Sequence, residues 1–267
     1  MTILDEIVIA KRKEVAQRRE LYPVKLLEKS VYFNGRPVSL KHYLERSDLS
    51  GVIAEFKRAS PSKGAINEFA DVETVTIGYM QGGASALSVL TDEQFFRGSS
   101  KDLEIARKFN FCPILRKDFI VDEYQVVESK SIGADVILLI AAVLSSEEMT
   151  GLAKTAQQLG LEVLVEVHSK DELEKVPFES VDLVGVNNRD LNTFEVSIDT
   201  SIELMPFIPK EVVAISESGL ESPDDVVKLK KAGFQGFLIG ERFMKESRPH
   251  ESCRRFIEQV RGQLGAS

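Results

Sequence analysis

Acids and bases recur at one kind of place in this chain, where a short apolar run gives way to a polar loop. The first run, Val52-Ile53-Ala54-Glu55-Phe56-Lys57, leads into Arg58-Ala59-Ser60-Pro61-Ser62-Lys63-Gly64. Alternate side chains of a strand share a face, so Glu55 and Lys57 point one way and Phe56 the other. The same parity gives Lys117 at the end of the third run and Glu166, in phase with Leu164, at the end of the fifth. It gives Asn187 and Arg189 at the sixth, and Glu217, in phase with Ile215, at the seventh. One acid–base pair at a strand end could be a plain ion pair. Charged ends on five of eight runs, all in phase, would make a costly core unless a ligand or solvent met them. The set offers proton donors, proton acceptors and cations for an anionic substrate. His168 shares the parity of Glu166, and a supporting or loop role competes there with a catalytic one. His42 and His250 have no such context.

Two further loops suit a phosphate. Glu217-Ser218-Gly219-Leu220 and Ile239-Gly240-Glu241-Arg242 can present backbone N–H groups, and the glycines let a ligand come close to the backbone.

The elements that must position these residues follow from a repeating unit that starts at Gly51. An apolar strand is followed by a polar loop, an amphipathic helix, a glycine and the next strand. Strands are expected near 52–57, 85–90, 112–117, 135–140, 161–167, 182–187, 212–217 and 236–240. Gly82-Gly83, Gly133, Gly160 and Gly233 sit where helices stop. Ser145 with Glu148 and Ser169 with Glu172 have capping-box spacing, and Ser222-Pro223 marks another helix start. Pro206 and Pro209 break up the sixth helix. Eight strand–helix units with wholly apolar strands imply an α/β fold, a (β/α)8 TIM barrel. An open doubly wound sheet is the alternative, weakened by the lack of a Gly-x-Gly-x-x-Gly turn after the first strand. Residues 1–50 read as an N-terminal helical extension packing on the barrel, and 51–267 as the barrel itself, a single domain overall. The extension holds an amphipathic helix over 3–20, whose Lys11, Arg12, Lys13, Arg18 and Arg19 read as a solvated face, and a short helix near 39–46.

Composition sets the outer limits. The 267 residues suit one large barrel, and a net charge of −8 argues against nucleic acid as the main partner. Any anionic substrate must be drawn in by a local cluster of cations. The longest apolar run, 136–144, falls far short of the roughly 18 residues a membrane span requires. The N-terminus is acidic where a secretion signal would be basic, so a cytoplasmic protein with no membrane partner is expected. Cys112 and Cys253, far apart in sequence, suggest neither a disulfide framework nor a metal site.

The stretches Ala54–Gly64, Leu115-Arg-Lys-Asp-Phe119, Leu164-Val-Glu-Val-His168, Gly185-Val-Asn-Asn-Arg-Asp-Leu191 and Ser216-Glu-Ser-Gly219 together resemble indole-3-glycerol-phosphate synthase of tryptophan biosynthesis. The resemblance spans nearly the whole chain, extension included. It implies ring closure, decarboxylation and dehydration of 1-(2-carboxyphenylamino)-1-deoxyribulose 5-phosphate to indole-3-glycerol phosphate by general acid/base catalysis, with no metal or organic cofactor. It implies Lys117 as general acid, Glu166 as acid/base for dehydration, and Lys57 on an anionic part of the substrate with a share in the acid role. Glu55 would partner the lysines. Asn187, Arg189, Glu217 and Ser218 would orient the substrate. Ser60, Gly219 and Gly240 would make phosphate and loop contacts, and residues 60–64 would form a flexible loop closing over the substrate. A lysine acting as acid near neutral pH would benefit from a lowered pKa. At position 241 many relatives carry a small hydroxyl residue, so Glu241 is expected to offer its backbone N–H to the phosphate while its side chain faces away. Other tryptophan-pathway enzymes would be separate chains. Two other readings stay open: a Schiff-base aldolase using Lys117, and a barrel that only binds a phosphorylated metabolite.

Overall fold

The computed structural model describes residues 2–190 and 193–265; Leu191, the last residue of the sixth-strand motif, lies outside them. Eight parallel strands close into a barrel: β1 (Val52–Phe56), β2 (Ala86–Leu90), β3 (Ile114–Lys117), β4 (Val136–Ile140), β5 (Glu162–Val167), β6 (Leu183–Asn187), β7 (Val213–Glu217) and β8 (Gly236–Ile239). β1 pairs with both β2 and β8, so the sheet has no free edge. The expected strands are all present, trimmed by a residue or two at their ends.

The helices are α1 (Ile3–Leu21), α2 (Val24–Leu27), α3 (Leu40–Glu45), α4 (Val72–Gln81), α5 (Ser100–Phe109), α6 (Glu123–Ser131), α7 (Ser146–Gln158), α8 (Lys170–Leu173), α9 (Asp199–Leu204), α10 (Pro223–Ala232), α11 (Glu241–Met244) and α12 (Pro249–Gly265). α9 is short and runs into a 3-10 turn containing Pro206. The capping boxes of α7 and α10 are both reciprocal. That of α8 is not: Ser169 accepts from Glu172 N, but the Glu172 carboxylate turns to the backbone N–H and ring of His168.

Strand parity decides which residues fill the barrel. Ile53, Leu115, Leu164, Leu183, Val213 and Ile215 point inward and form one buried cluster, and each lies in phase with a charged or amide residue nearer the strand's C-terminal end. The opposite faces pack outward against the helices as a larger cluster.

The N-terminal extension divides between the two ends of the barrel. α3 plugs the end where the strands begin, with Leu40 and Leu44 buried in the inner cluster. Glu162, at the start of β5, accepts from Leu40 N at 2.7 Å and Lys41 N at 3.0 Å, satisfying free N–H groups at the start of that helix. α1 crosses the other end, where the strands finish. Its basic run is not one solvated face: Lys11 is buried, 1% exposed, among carboxylates. The apolar/charged alternation that suggested a wet face does not distinguish a lysine facing water from one facing acids.

Candidate active site

The strands' C-terminal ends surround a cavity of about 510 Å³. Glu55, Lys57, Ser60, Lys117, Glu166, Asn187, Arg189, Glu217, Ser218, Gly219, Gly240 and Glu241 all line it, so every candidate named from sequence meets in one place. Lys117 is central. Its ammonium lies 2.5 Å from Glu166 and 3.2 Å from Glu217. Lys57 pairs with Glu55 at 2.8 Å, and Ser88 Oγ approaches the other Glu55 oxygen at 3.5 Å. Asn187 Nδ2 donates to Glu166 Oε1 at 3.1 Å and its own oxygen accepts from Arg189 N at 3.0 Å, which ties the β6 end to the β5 carboxylate.

These contacts set the protonation states. Burial alone would lower the Lys117 ammonium, but Glu166, Glu217 and Glu55 outweigh it and raise its pKa. The lowered pKa expected for an acid is therefore not found, because Lys117 faces carboxylates rather than other cations. Burial would raise Glu166, yet Lys117 and His168 dominate and hold it below the usual carboxylate range. Glu217 goes the other way. Burial and the charges of Glu166 and Glu55 push it up to about 7, more than Lys117 can offset. Two carboxyls on one ammonium thus divide into an ionised one and one that holds a proton near neutrality. Among the described residues, Glu217 Oε1 is also a buried oxygen without a hydrogen-bond partner. Two glycines make room for these acids: a Cβ on Gly185 would lie 2.1 Å from Glu217 Oε1, and one on Gly240 would lie 2.4 Å from Glu55 Oε1.

The loop after β7 has consecutive left-handed residues, Ser218 at φ 67° and Gly219 at φ 72°. A non-glycine residue in that conformation needs support. Asn188 provides it: its Nδ2 donates to Ser218 O at 3.0 Å and Ser216 Oγ at 2.9 Å, while its oxygen accepts from Ser201 Oγ at 2.8 Å. Residues 60–64, expected as a flexible loop, form the tip of a short antiparallel ribbon in which Ala59–Ser60 pairs with Gly64–Ala65. Glu241 does not face away from the cavity. Its carboxylate lies 3.5 Å from Arg189 and 3.7 Å from Lys63. The two cations draw the acid inward.

Several lining residues were given no place in the site from the sequence, although Ile3, Leu4 and Ile7 read there as one apolar helix face and Phe119 closes the third-strand motif. Ile3, Leu4 and Ile7 of α1, with Phe96 and Phe119 from the β2 and β3 loops, give the cavity an apolar wall. Phe96 and Phe119 pack against each other at a tilt, ring centres 5.9 Å apart and planes 40° apart. Their loop positions carry no periodicity, so only the closing of the barrel identifies them. His168 bridges Glu172 at 3.2 Å and Glu166 at 3.4 Å, a supporting place behind Glu166. Burial would lower its pKa, but the hydrogen bond to Glu172 and the charges of both acids raise it.

A family model described as indole-3-glycerol phosphate synthase matches residues 4–256. The chain is 46% identical over 258 residues to the indole-3-glycerol phosphate synthase of Bacteroides thetaiotaomicron, covering 97% of this chain and 98% of that one. It is 43% identical over 263 residues to the enzyme of the same name from Caldanaerobacter subterraneus, covering 97% and 99%. Among solved structures, 3-hexulose-6-phosphate synthase from Salmonella typhimurium superposes with a TM-score of 0.62 at 12% identity, over 79% of this chain and 98% of that one. Tryptophan synthase from Pyrococcus furiosus gives 0.58 at 15% identity, over 80% and 98%. At such identities the superpositions speak for the barrel alone.

Proposed function

The chain belongs to the indole-3-glycerol phosphate synthase family, and from that premise we propose how its residues divide the work. It is a carboxy-lyase of tryptophan biosynthesis that converts 1-(2-carboxyphenylamino)-1-deoxyribulose 5-phosphate to indole-3-glycerol phosphate, CO₂ and water. The observation that carries the residue roles is Lys117 held between Glu166 and Glu217 at the floor of the cavity.

The aromatic carbon bearing the carboxylate attacks the ketone carbon, and Lys117 gives a proton to the ketone oxygen as the bond forms. A lysine donates only from its ammonium form, and the surrounding carboxylates keep Lys117 in that form. CO₂ leaves and its electron pair restores the aromatic ring. Loss of CO₂ from a carboxylate consumes one proton, which solvent returns to Lys117. The new hydroxyl then departs as water with that proton, and Glu166, ionised throughout, takes the last ring proton and passes it back to the lysine. Lys57 holds the substrate carboxylate and can share the acid step, with Glu55 as its resting partner. Asn187 fixes Glu166, and Glu217, near its pKa, can donate to or accept from a substrate hydroxyl. The phosphate lies against the backbone of Ser218, Gly219, Gly240 and Glu241, with Arg189 and Ser60 beside it, under the ribbon of residues 59–65. The substrate's aromatic ring takes the apolar wall from α1, Phe96 and Phe119.

Among the described residues no helix is long and apolar enough to cross a membrane. A cytoplasmic location, and exchange of substrate and product with separate enzymes of the pathway, belong to the same proposal. The test is appearance of indole fluorescence from the anthranilate-ribulose phosphate substrate. No indole product from the folded protein would reject the reaction, and imine trapping by borohydride would favour an aldolase.

A further inference from the structure

α1 brings two cations to the barrel from one face of the helix, Lys11 and Arg18, seven residues and thus about two turns apart. Lys11 Nζ lies 2.8 Å from Asp92, 3.0 Å from Asp118 and 2.8 Å from Glu14. Asp92 follows β2 and Asp118 follows β3, and the side chains of Lys11, Asp92 and Asp118 are each 1% exposed. Asp118 also accepts from Arg116 at 3.1 Å and Thr91 Oγ1 at 2.6 Å. Arg116 reaches Glu128 of α6 at 2.8 Å, and Glu128 returns to Arg18 at 2.6 Å. The result is a connected series of ion pairs from Asp92 through Lys11, Asp118, Arg116 and Glu128 to Arg18, buried except at Arg18 and at Glu14 beside Lys11. Such a series is seldom a source of net stability, because desolvation offsets the attraction. Its value lies in what it holds in place.

The two aspartates do not merely neutralise Lys11. Asp92 accepts from Phe95 N at 2.8 Å and Asp118 from Phe119 N at 2.8 Å, so each carboxylate shapes its own loop. Those loops carry Phe96 and Phe119, which pack against each other at a tilt in the cavity wall. Asp118 directly follows Lys117, whose carbonyl accepts from Thr91 N at 3.1 Å. One ammonium from α1 therefore draws together two acidic loop hinges that would otherwise repel, immediately beneath the aromatic pair and one residue from the proposed acid.

We propose that Lys11 is a positioning residue for the reaction: its ammonium locks the β2 and β3 loops in register and so sets both the aromatic wall and the placement of Lys117. The proposal rests on the reaction assigned above. α1 thus contributes an interior charge to the site besides its apolar cover.

The test uses the full-length protein, the indole-fluorescence assay and a double-mutant cycle of Lys11→Met with Asp92→Asn. Methionine keeps the length and removes the charge; asparagine keeps the acceptor for Phe95 N and removes the repulsion. At a temperature where each variant is fully folded, Lys11→Met is expected to lower kcat by about tenfold or more, and the double variant to regain most of that loss. Wild-type kcat in folded Lys11→Met, with only its melting temperature lowered, would overturn the proposal. Independent, multiplicative effects of the two substitutions on kcat would overturn it too. If Lys11→Met does not fold, Asp92→Asn decides alone: a lowered kcat with KM little changed supports the lock, and wild-type kcat refutes it. A wild type that turns over beside an unaffected variant rejects the lock alone, whereas an inactive wild type rejects the reaction on which it rests.

Discussion

Glu217 offers a measurable consequence of the way the site divides its charge. Its pKa rises from 4.5 to about 7, chiefly through burial and then through the charges of Glu166 and Glu55. A carboxyl raised on folding costs nothing while both states are protonated. Between pH 4.5 and about 7 the unfolded chain has lost that proton and the native state has kept it, so stability falls as pH rises. Above pH 7 the loss is complete and constant. Glu217→Gln keeps an oxygen for Lys117, 3.2 Å away in the parent, but cannot ionise. Each pKa unit corresponds to about 1.4 kcal/mol, so the shift bounds the gap between variant and parent at about 3 kcal/mol. For a chain of this size that is a melting difference of up to about 6–12 °C. Thermal melts of both proteins from pH 4.5 to 8.5 should therefore run together at the acid end, diverge in the variant's favour toward pH 7, and stay parallel beyond it. The same variant should lose activity, since it cannot exchange a proton with the substrate. Parallel melting curves across the whole range would refute the reasoning, as would divergence that begins only above pH 7.

Removing either half of the central pair, by Lys117→Ala or Glu166→Ala, should lower kcat by roughly 10²–10⁴ in the fluorescence assay, and near-normal turnover in both variants would reject their roles. At the closed end of the barrel, Leu40→Ala or Leu44→Ala should cost about 2–5 kcal/mol in urea unfolding with kcat unchanged, because α3 plugs the core and touches no substrate; lost turnover in the folded variants would contradict that. Inorganic phosphate should compete with substrate, and Glu241→Gln should tighten it by about threefold to fivefold by freeing Arg189 and Lys63. Inhibition that does not depend on substrate concentration, or a variant that binds phosphate more weakly, would count against the phosphate site.

The barrel was legible because strand parity and helix stops are local. Ile53, Glu55 and Lys57 share a face in any strand, and Gly133, Gly160 and Gly233 take positive φ where each helix ends. That the candidate site residues share one end of the barrel was legible for the same reason: Lys117, Glu166 and Glu217 each sit in phase at their own strand's end. What those residues do to one another was not. Whether Lys117 faces carboxylates or cations depends on which strands are neighbours and how they stagger, and the sequence expectation of a lowered pKa failed on that point. Lys11 was misread for a related reason, since its acids lie about 80 and 107 residues away in the chain, beyond any helical period. Phe96, Phe119 and Asn188 lie in loops, where residue type says little until the ends of the barrel meet.

The pairing within the mouth also bears on turnover. Lys57 has Glu55 at 2.8 Å, Lys117 has Glu166 at 2.5 Å, and Arg189 and Lys63 share Glu241. Among the described residues, each of these four cations has a carboxylate beside it, which offsets the cost of a bare charge in a half-buried cleft. A substrate bearing a carboxylate and a phosphate must therefore enter by exchanging partners. The displaced internal acids then need donors or protons, and Glu217, already near neutrality, takes a proton at the least cost. On the proposed residue roles, loss of CO₂ removes the substrate anion facing the lysines, while the phosphate stays. Glu55 and Glu166 can then recover Lys57 and Lys117, and the product is held only by the apolar wall and the contacts around the phosphate. The internal carboxylates are thus competitors that become effective when the chemistry is finished, so the ion pairs of the free protein favour release of product over release of substrate.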